Sequence, residues 1–333
     1  IYKFKTNQSL GKSDPGFRSA SAINASKDLC LVSIQNMNCH KNLFSKLKKN
    51  KKSILFLGNS QMGAINEFES GDLSFISLLS KNLQSKKSNF LIKGLWLPNA
   101  NLKEFELINQ TLNRCSISTE LLIIPVFLDD TRINNIRNEL DDYQYLLCQK
   151  QKSHNFKVSN NLSNIQKMNQ NIEKRFSIFE DLKYLNERFR IDIYQFRNNL
   201  FNIKPTSVRN IKKPIYNENI KALENIVNLR DKQNLKTIVY IPPLLNSVNG
   251  GLIPYKRKDY INFKKEISTI CNSQNCIYFN FENEVPTDLW GLKKSTNLKK
   301  NKMELDFMHF TGKGHKVLAD KFFEVLEIHS QIN

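Results

Sequence analysis

Short apolar runs alternate with amphipathic stretches along much of the chain. Between the runs, apolar residues recur at the three- and four-residue spacing of helices. Five runs are strand-sized and apolar enough to be buried on both faces: Ser53–Leu57, Asn89–Leu97, Glu120–Leu128, Thr237–Ile241 and Cys276–Phe281. Helical spacing covers Leu73–Leu83, Leu102–Leu112, Tyr260–Cys271 and a last helix that starts near Thr311. Buried strands that alternate with helices predict an α/β fold with a parallel sheet.

This alternation stops between residues 131 and 236, where helical stripes appear at Ile172–Leu185 and Ile220–Leu229 but no strong strand signal does. No Gly/Ser/Pro linker brackets the region, so we predict a helical insertion over the working edge of the sheet. We expect it to lie within one domain of residues 53–330. Residues 1–52 are polar and basic, and we predict an irregular segment there.

The first strand runs into a serine. Ile54–Leu57 is followed by Gly58, Asn59 and Ser60, and helix-compatible residues come next. In one interpretation Gly58 and Asn59 form a turn and Ser60 caps a helix, as serine often does. In the other, Ser60 is a nucleophile held at the sheet edge, with its N–H among the free donors of a helix N-terminus.

A second stretch, near the C-terminus, favours the nucleophile. Asp306 and His309 are three residues apart, so in one helical turn or tight loop their side chains face the same way. The carboxylate can then fix the imidazole tautomer and leave the other ring nitrogen as a base. The chain order Ser, Asp, His is one of the orders that this triad takes.

These stretches resemble the SGNH/GDSL-type hydrolase superfamily. The similarity lies in residues 54–60 and 306–315, and Pro98–Asn101 is similar to the second block of that family. Within the family the chain most resembles the cell-surface acyl-transfer branch, such as the alginate-acetylation and D-alanyl-lipoteichoic acid assembly proteins. The resemblance implies a three-layer α/β/α flavodoxin-like fold. It further implies Ser60 as nucleophile, His309 as base and Asp306 as the residue that orients it.

Two positions depart from the family pattern around the oxyanion hole. A glycine is usual in the second block, where Asn99 is the nearest residue here. An asparagine is usual in the third block, where Asp129 stands, and an ionised Asp129 would repel an oxyanion. We expect Asn99 or Asn101 to supply a donor, because losing one costs on the order of 3 kcal/mol in transition-state stabilisation.

The formal net charge of +19, from 50 Lys plus Arg against 31 Asp plus Glu, suits anionic partners. A solvated surface on a chain rich in Lys, Asn and Ile is the favoured interpretation of this charge. A nucleic-acid binder is disfavoured because the chain shows no interleaved aromatic and basic platform. A catalytically degenerate module that binds an anionic polymer stays open as the alternative to an enzyme.

The expected function is therefore that of a serine-dependent O-acyltransferase or esterase acting on a surface polysaccharide or glycoconjugate. Such chemistry needs no metal or organic cofactor. The resemblance implies a membrane-bound acyl donor protein as partner and a location in the cell envelope, with any anchor in a segment before Ile1. Six cysteines, at 30, 39, 115, 148, 271 and 276, permit an oxidising compartment, and the first and last pairs are close enough for local disulfides.

Overall fold

The computed structural model describes part of the chain, and everything below concerns that part. It comprises residues 28–32, 37–49, 52–86, 90–134, 136–137, 140, 196, 200–201, 207–245, 254–294 and 303–329. The predicted stripe at Ile172–Leu185 lies outside the described residues, as does most of the predicted insertion. The one-domain prediction for residues 53–330 therefore stays a prediction.

Six parallel strands form the central sheet, in the order β1-β3-β2-β4-β5-β6. Their bounds are Leu29–Leu31 (β1), Ser53–Gly58 (β2), Leu91–Trp96 (β3), Leu121–Pro125 (β4), Lys236–Ile241 (β5) and Cys276–Asn280 (β6). Without the edge strand β1, this is the 2-1-3-4-5 order of flavodoxin-like folds. The predicted α/β fold with a parallel sheet is confirmed.

Helices cover both faces of the sheet. Along β2, Leu55 and Leu57 belong to one buried core, and Ile54 and Phe56 to the other, because successive side chains of a strand point to opposite faces. The helices are Met37–Lys49 (α1), Ser60–Gly63 (α2), Phe75–Ser85 (α3), Leu102–Arg114 (α4), Lys213–Lys232 (α5), Arg257–Ile270 (α6) and Gly312–His329 (α7). The first core packs under α1, α4, α5 and α6, and the second under α3 and α7, so the domain has three layers.

Two predictions about segments need correction. The segment predicted as irregular contains β1 and α1, which bury Leu29, Cys30 and Leu43 and are joined by the Cys30–Cys39 disulfide. A three-residue edge strand is too short to show a periodic pattern. The stripe at Ile220–Leu229 belongs to α5, which packs against α4 as the crossover between β4 and β5 rather than as part of an insertion.

An antiparallel hairpin precedes the last helix. It pairs Trp290–Lys294 (β7) with Met303–Phe310 (β8). The sequence did not indicate it, because the stretch from Trp290 is polar and basic rather than alternating. A second local disulfide, Cys271–Cys276, joins the end of α6 to β6. Among the helices of the described ranges, none is long and apolar enough to cross a membrane.

Candidate active site

Ser60 lies at the junction between β2 and α2. The cap of this short helix is Asn59, whose backbone is extended and whose side chain accepts a hydrogen bond from the Gln61 N–H at 3.1 Å. The interpretation of Ser60 as the cap is therefore wrong: Ser60 is the first helical residue. A backbone N–H at that position has no acceptor within the helix, so it is available to a ligand.

A large bulge in β8, with four residues opposite one, carries the other two predicted residues. Trp290 pairs with Phe310 and Leu292 with Leu305, so residues 306–309 lie opposite Gly291 alone. This interruption breaks the two-residue alternation of a strand. Asp306 and His309 consequently share one side although they lie in a strand, not in the helical turn that their spacing suggested.

The structure brings Ser60, His309 and Asp306 together in one hydrogen-bonded chain. His309 Nε2 lies 3.0 Å from Ser60 Oγ, and His309 Nδ1 lies 2.9 Å from Asp306 Oδ2. An ionised carboxylate only accepts, so Nδ1 carries the proton and Nε2 is left to accept from the serine hydroxyl. The Asp306 side chain is 3% exposed and that of His309 12%, so the chain is shielded but reachable.

Asn66 orients the carboxylate, and sequence reasoning missed it. Its Nδ2 donates to Asp306 Oδ2 at 3.3 Å, while the Met308 N–H donates to the other carboxylate oxygen at 3.0 Å. A Cβ on Gly291 would lie 2.3 Å from Asn66 Cγ, so only glycine fits opposite the bulge. An asparagine six residues after Ser60 matches no motif, and only the fold brings it to Asp306.

Gln61 links the bulge to the end of the sheet through hydrogen bonds. Its Nε2 donates to the Pro243 carbonyl, just after β5, and to the Met308 carbonyl, both at 2.9 Å. The same short helix thus carries the predicted nucleophile and anchors the strand that carries its partner. Apart from its position next to Ser60, nothing along the chain indicates this role of Gln61.

The two asparagines proposed as oxyanion donors differ in their surroundings. Asn101 is fully buried and caps α4. Its side chain accepts a hydrogen bond from the Glu104 N–H at 2.9 Å, and the Glu104 carboxylate accepts one from the Asn101 N–H at 3.2 Å. Its expected role at the substrate is therefore corrected to a structural one. Asn99 is exposed and has a left-handed backbone with φ 52°, a conformation that glycine favours.

The neighbouring carboxyls after β4 have different partners. Asp129 forms ion pairs with Arg209 and, at 3.2 Å, with Arg132. The two arginines thus balance the negative charge of Asp129, whereas the sequence predicted that this charge would repel an oxyanion. Asp130 is buried beneath the serine turn, where its Oδ2 accepts from the Phe127 N–H at 3.3 Å and from Asn59 Nδ2 at 3.5 Å. Burial raises the pKa of Asp130 well above its usual value and favours the neutral acid.

His315 lies behind the site and supports it from the core. Its Nε2 donates to the Ala64 carbonyl at 3.1 Å, and its Nδ1 accepts from the Phe75 N–H at 3.2 Å. Burial lowers the pKa of His315 to about 4, so the ring is neutral. Within the described ranges, no three His, Cys, Asp or Glu side chains are arranged to hold a metal ion.

No protein-family model matches this chain, and no curated protein matches it. Among solved structures, the chain is similar to the acetyl xylan esterase AlAXEase, with 11% identity, 82% of this chain and 99% of that chain covered, and a TM-score of 0.41. It is also similar to the psychrotrophic esterase EstA from Pseudoalteromonas sp., with 12% identity, 83% and 97% coverage, and a TM-score of 0.41.

A third similar structure is a putative acylhydrolase from Bacteroides fragilis NCTC 9343, with 11% identity, 86% and 95% coverage, and a TM-score of 0.40. At such identities and TM-scores, the similarity carries no conclusion about the chemistry of this chain. The chemical inference depends on the contacts of Ser60, His309 and Asp306.

Proposed function

We propose that this protein is a serine-dependent acyl-ester enzyme of the SGNH type. The observation that carries the proposal is the position of His309, which contacts Ser60 Oγ and Asp306 Oδ2 through its two ring nitrogens, at 3.0 and 2.9 Å. A nucleophile within hydrogen-bond reach of a base that a third group orients is the signature of covalent acyl chemistry. Hydrogen bonds from Asn66 to Asp306 and from Gln61 to the Met308 carbonyl support this arrangement.

In the proposed mechanism, Ser60 Oγ attacks the acyl carbonyl while its proton passes to His309 Nε2. Asp306 stabilises the resulting imidazolium through the Nδ1 proton. The imidazolium then protonates the departing sugar oxygen, and an acyl-serine remains. A second hydroxyl, from water or from a sugar, gives its proton to His309 Nε2 and attacks the acyl-serine. The imidazolium then returns that proton to Ser60 Oγ as the bond between this oxygen and the acyl carbon breaks.

Stabilisation of the oxyanion needs donors beside Ser60. The Ser60 N–H is free of any helical acceptor and is one candidate. Asn99 is the other, because β3 lies next to β2 with Trp96 beside Gly58, and the exposed Asn99 follows three residues later. Asp129 is not required as a donor in this arrangement.

The substrate that we propose is an acylated polysaccharide or glycoconjugate, and the reaction is either hydrolysis or transfer to another sugar. The acetyl xylan esterase AlAXEase is named for such a polymer, but at a TM-score of 0.41 that similarity carries no argument about the substrate of this chain. The disulfides Cys30–Cys39 and Cys271–Cys276 suit an oxidising compartment, so we propose the cell envelope. The membrane-bound acyl donor protein stays a prediction.

Fluorophosphonate labelling tests the proposal. Wild-type protein should be labelled at Ser60, and the Ser60→Ala and His309→Ala variants should not. Ser85→Ala, which changes an exposed serine on α3, serves as the matched control and should be labelled like wild type. The proposal fails if folded wild-type protein is not labelled, while wild type and Ser60→Ala bind an anionic polymer equally tightly. That result would favour the alternative of a non-catalytic binding module.

A further inference from the structure

An unusual excess of hydrogen-bond donors lies at the edge of the candidate active site. Arg132 and Arg209 both pair with Asp129, each with a side chain 29% exposed. Tyr255 is next to them: the backbone N–H of Arg209 donates to the Pro254 carbonyl at 2.8 Å, and residues 209 and 255 form a bridge. We call Asp129, Arg132, Arg209 and Tyr255 the arginine cluster.

The donors of the arginine cluster outnumber its acceptors. Each guanidinium offers five N–H groups, whereas Asp129 provides one carboxylate, both of whose oxygens are already used. Among the described residues, the Arg132 Nε and the Tyr255 hydroxyl are buried without a hydrogen-bond partner. Two positive charges against one negative charge leave the arginine cluster with a net charge of about +1.

The protonation states of the neighbouring groups preserve this excess. Burial raises the pKa of Tyr255, so its hydroxyl keeps the proton and can donate. Asp130 is the next carboxyl along the chain, and burial favours its neutral form. A buried donor without a partner is costly, so such a group points to a ligand that supplies an acceptor.

The position of the arginine cluster links it to the catalytic side chains. Arg209 stacks over the ring of Phe307, with its Cζ 5.4 Å from the ring centroid. Phe307 lies in the bulge between Asp306 and His309. On the other side, Asp129 follows β4, the strand next to the one that leads into Ser60. Ligands of open α/β sheets bind at this carboxyl edge.

We propose that the arginine cluster is a carboxylate-binding subsite, and that the acyl ester on which Ser60 acts is carried by an acidic sugar. Arg209 and Arg132 hold the sugar carboxylate, and the Tyr255 hydroxyl donates to it. A planar carboxylate matches the fork of a guanidinium, which offers paired donors. This inference rests on the proposed function, since the subsite selects the substrate on which Ser60 acts.

Protection against fluorophosphonate labelling measures this preference without requiring turnover. Trigalacturonate and its fully methyl-esterified form share one sugar backbone, but the second carries a neutral methyl ester in place of each carboxylate. Trigalacturonate should slow labelling of wild-type Ser60 with an apparent affinity at least about tenfold higher than the methyl ester, because a hydrogen bond to a charged group contributes a factor of that order. Arg209→Gln should remove most of the difference, and the exposed-surface control Arg257→Gln should keep it.

Tyr255→Phe is the second variant, because it removes only a hydroxyl that has no described partner and keeps the stacked ring. It should reduce the preference for the acid several-fold. Equal protection by the two compounds in wild type would overturn the subsite. So would an Arg209→Gln variant that slows labelling itself but keeps the preference, since Arg209 would then act on the reacting groups. Absence of labelling in wild type would instead overturn the proposed function.

Discussion

The two sides of the site treat their carboxyls in opposite ways. On one side, Asp306 is oriented by His309, Asn66 and the Met308 N–H, and all three bonds restrain one geometry. On the other side, the adjacent Asp129 and Asp130 are separated: one balances two arginines and the other is buried near the serine turn. Environment, rather than residue type, therefore decides whether a carboxyl here acts as an anion, an orienting group or a neutral support.

The largest effect is expected from Asp306→Asn. The amide cannot hold Nδ1–H of His309 as a carboxylate does, so the wrong tautomer faces Ser60, and kcat for an aryl acetate should fall by about 10⁴-fold. Asp288→Asn, an exposed acid of the same type, should leave kcat unchanged. A folded Asp306→Asn variant with nearly full activity would show that His309 does not need its partner.

The next largest effect concerns His315 and pH. Burial lowers its pKa from 6.5 to about 4, so between these values the unfolded chain binds a proton that the folded chain does not. The free energy of unfolding should therefore fall as pH drops through this window, by about 3 kcal/mol from His315. His40, buried with a pKa of about 4, adds to the same trend.

The variant His315→Gln isolates this contribution. Glutamine can keep both backbone bonds without titrating, so urea unfolding should give a shallower loss of stability between pH 6.5 and 4 than wild type shows. An unchanged slope would mean that the ring is not the group that takes up the proton.

A smaller effect separates two replacements of Asp130. Asp130→Asn keeps an acceptor for the Phe127 N–H and for Asn59 Nδ2, and it should have stability and labelling close to wild type because the acid is already neutral. Asp130→Ala leaves those donors unpaired and should lower the free energy of unfolding by about 1–3 kcal/mol. Urea unfolding with parallel labelling measures both, and a strongly destabilised Asp130→Asn would show that the carboxyl is ionised.

The smallest effect is expected from Asp129→Asn. The carboxylate is 20% exposed and its arginines 29%, so solvent screens the pairs, and their loss should destabilise by about 1 kcal/mol or less. The loss should shrink further at high salt. A decrease of several kcal/mol would instead place Asp129 with the buried, structural carboxyls of the site.

The sequence predicted the sheet because buried strands are recognisable without partners. Each of the five predicted strands overlaps an observed one, and β5 differs from its prediction by one residue at its start. The missed strands, β1 and those of the β7–β8 hairpin, are short or polar, and their stability comes from pairing with β3 or with each other. Such pairing has no local signature.

For the site, the sequence by itself determined the three residues of the proposed triad, since serine after a buried strand and Asp-x-x-His near the end carry local patterns. Only the tertiary structure decided how they meet, through a bulge opposite Gly291. It also decided the partners of the carboxyls, which are Asn66 for Asp306 and two arginines for Asp129. The burial of Asp130 is likewise set by the tertiary structure. Long-range contacts and burial set these environments, and neither can be deduced from neighbours along the chain.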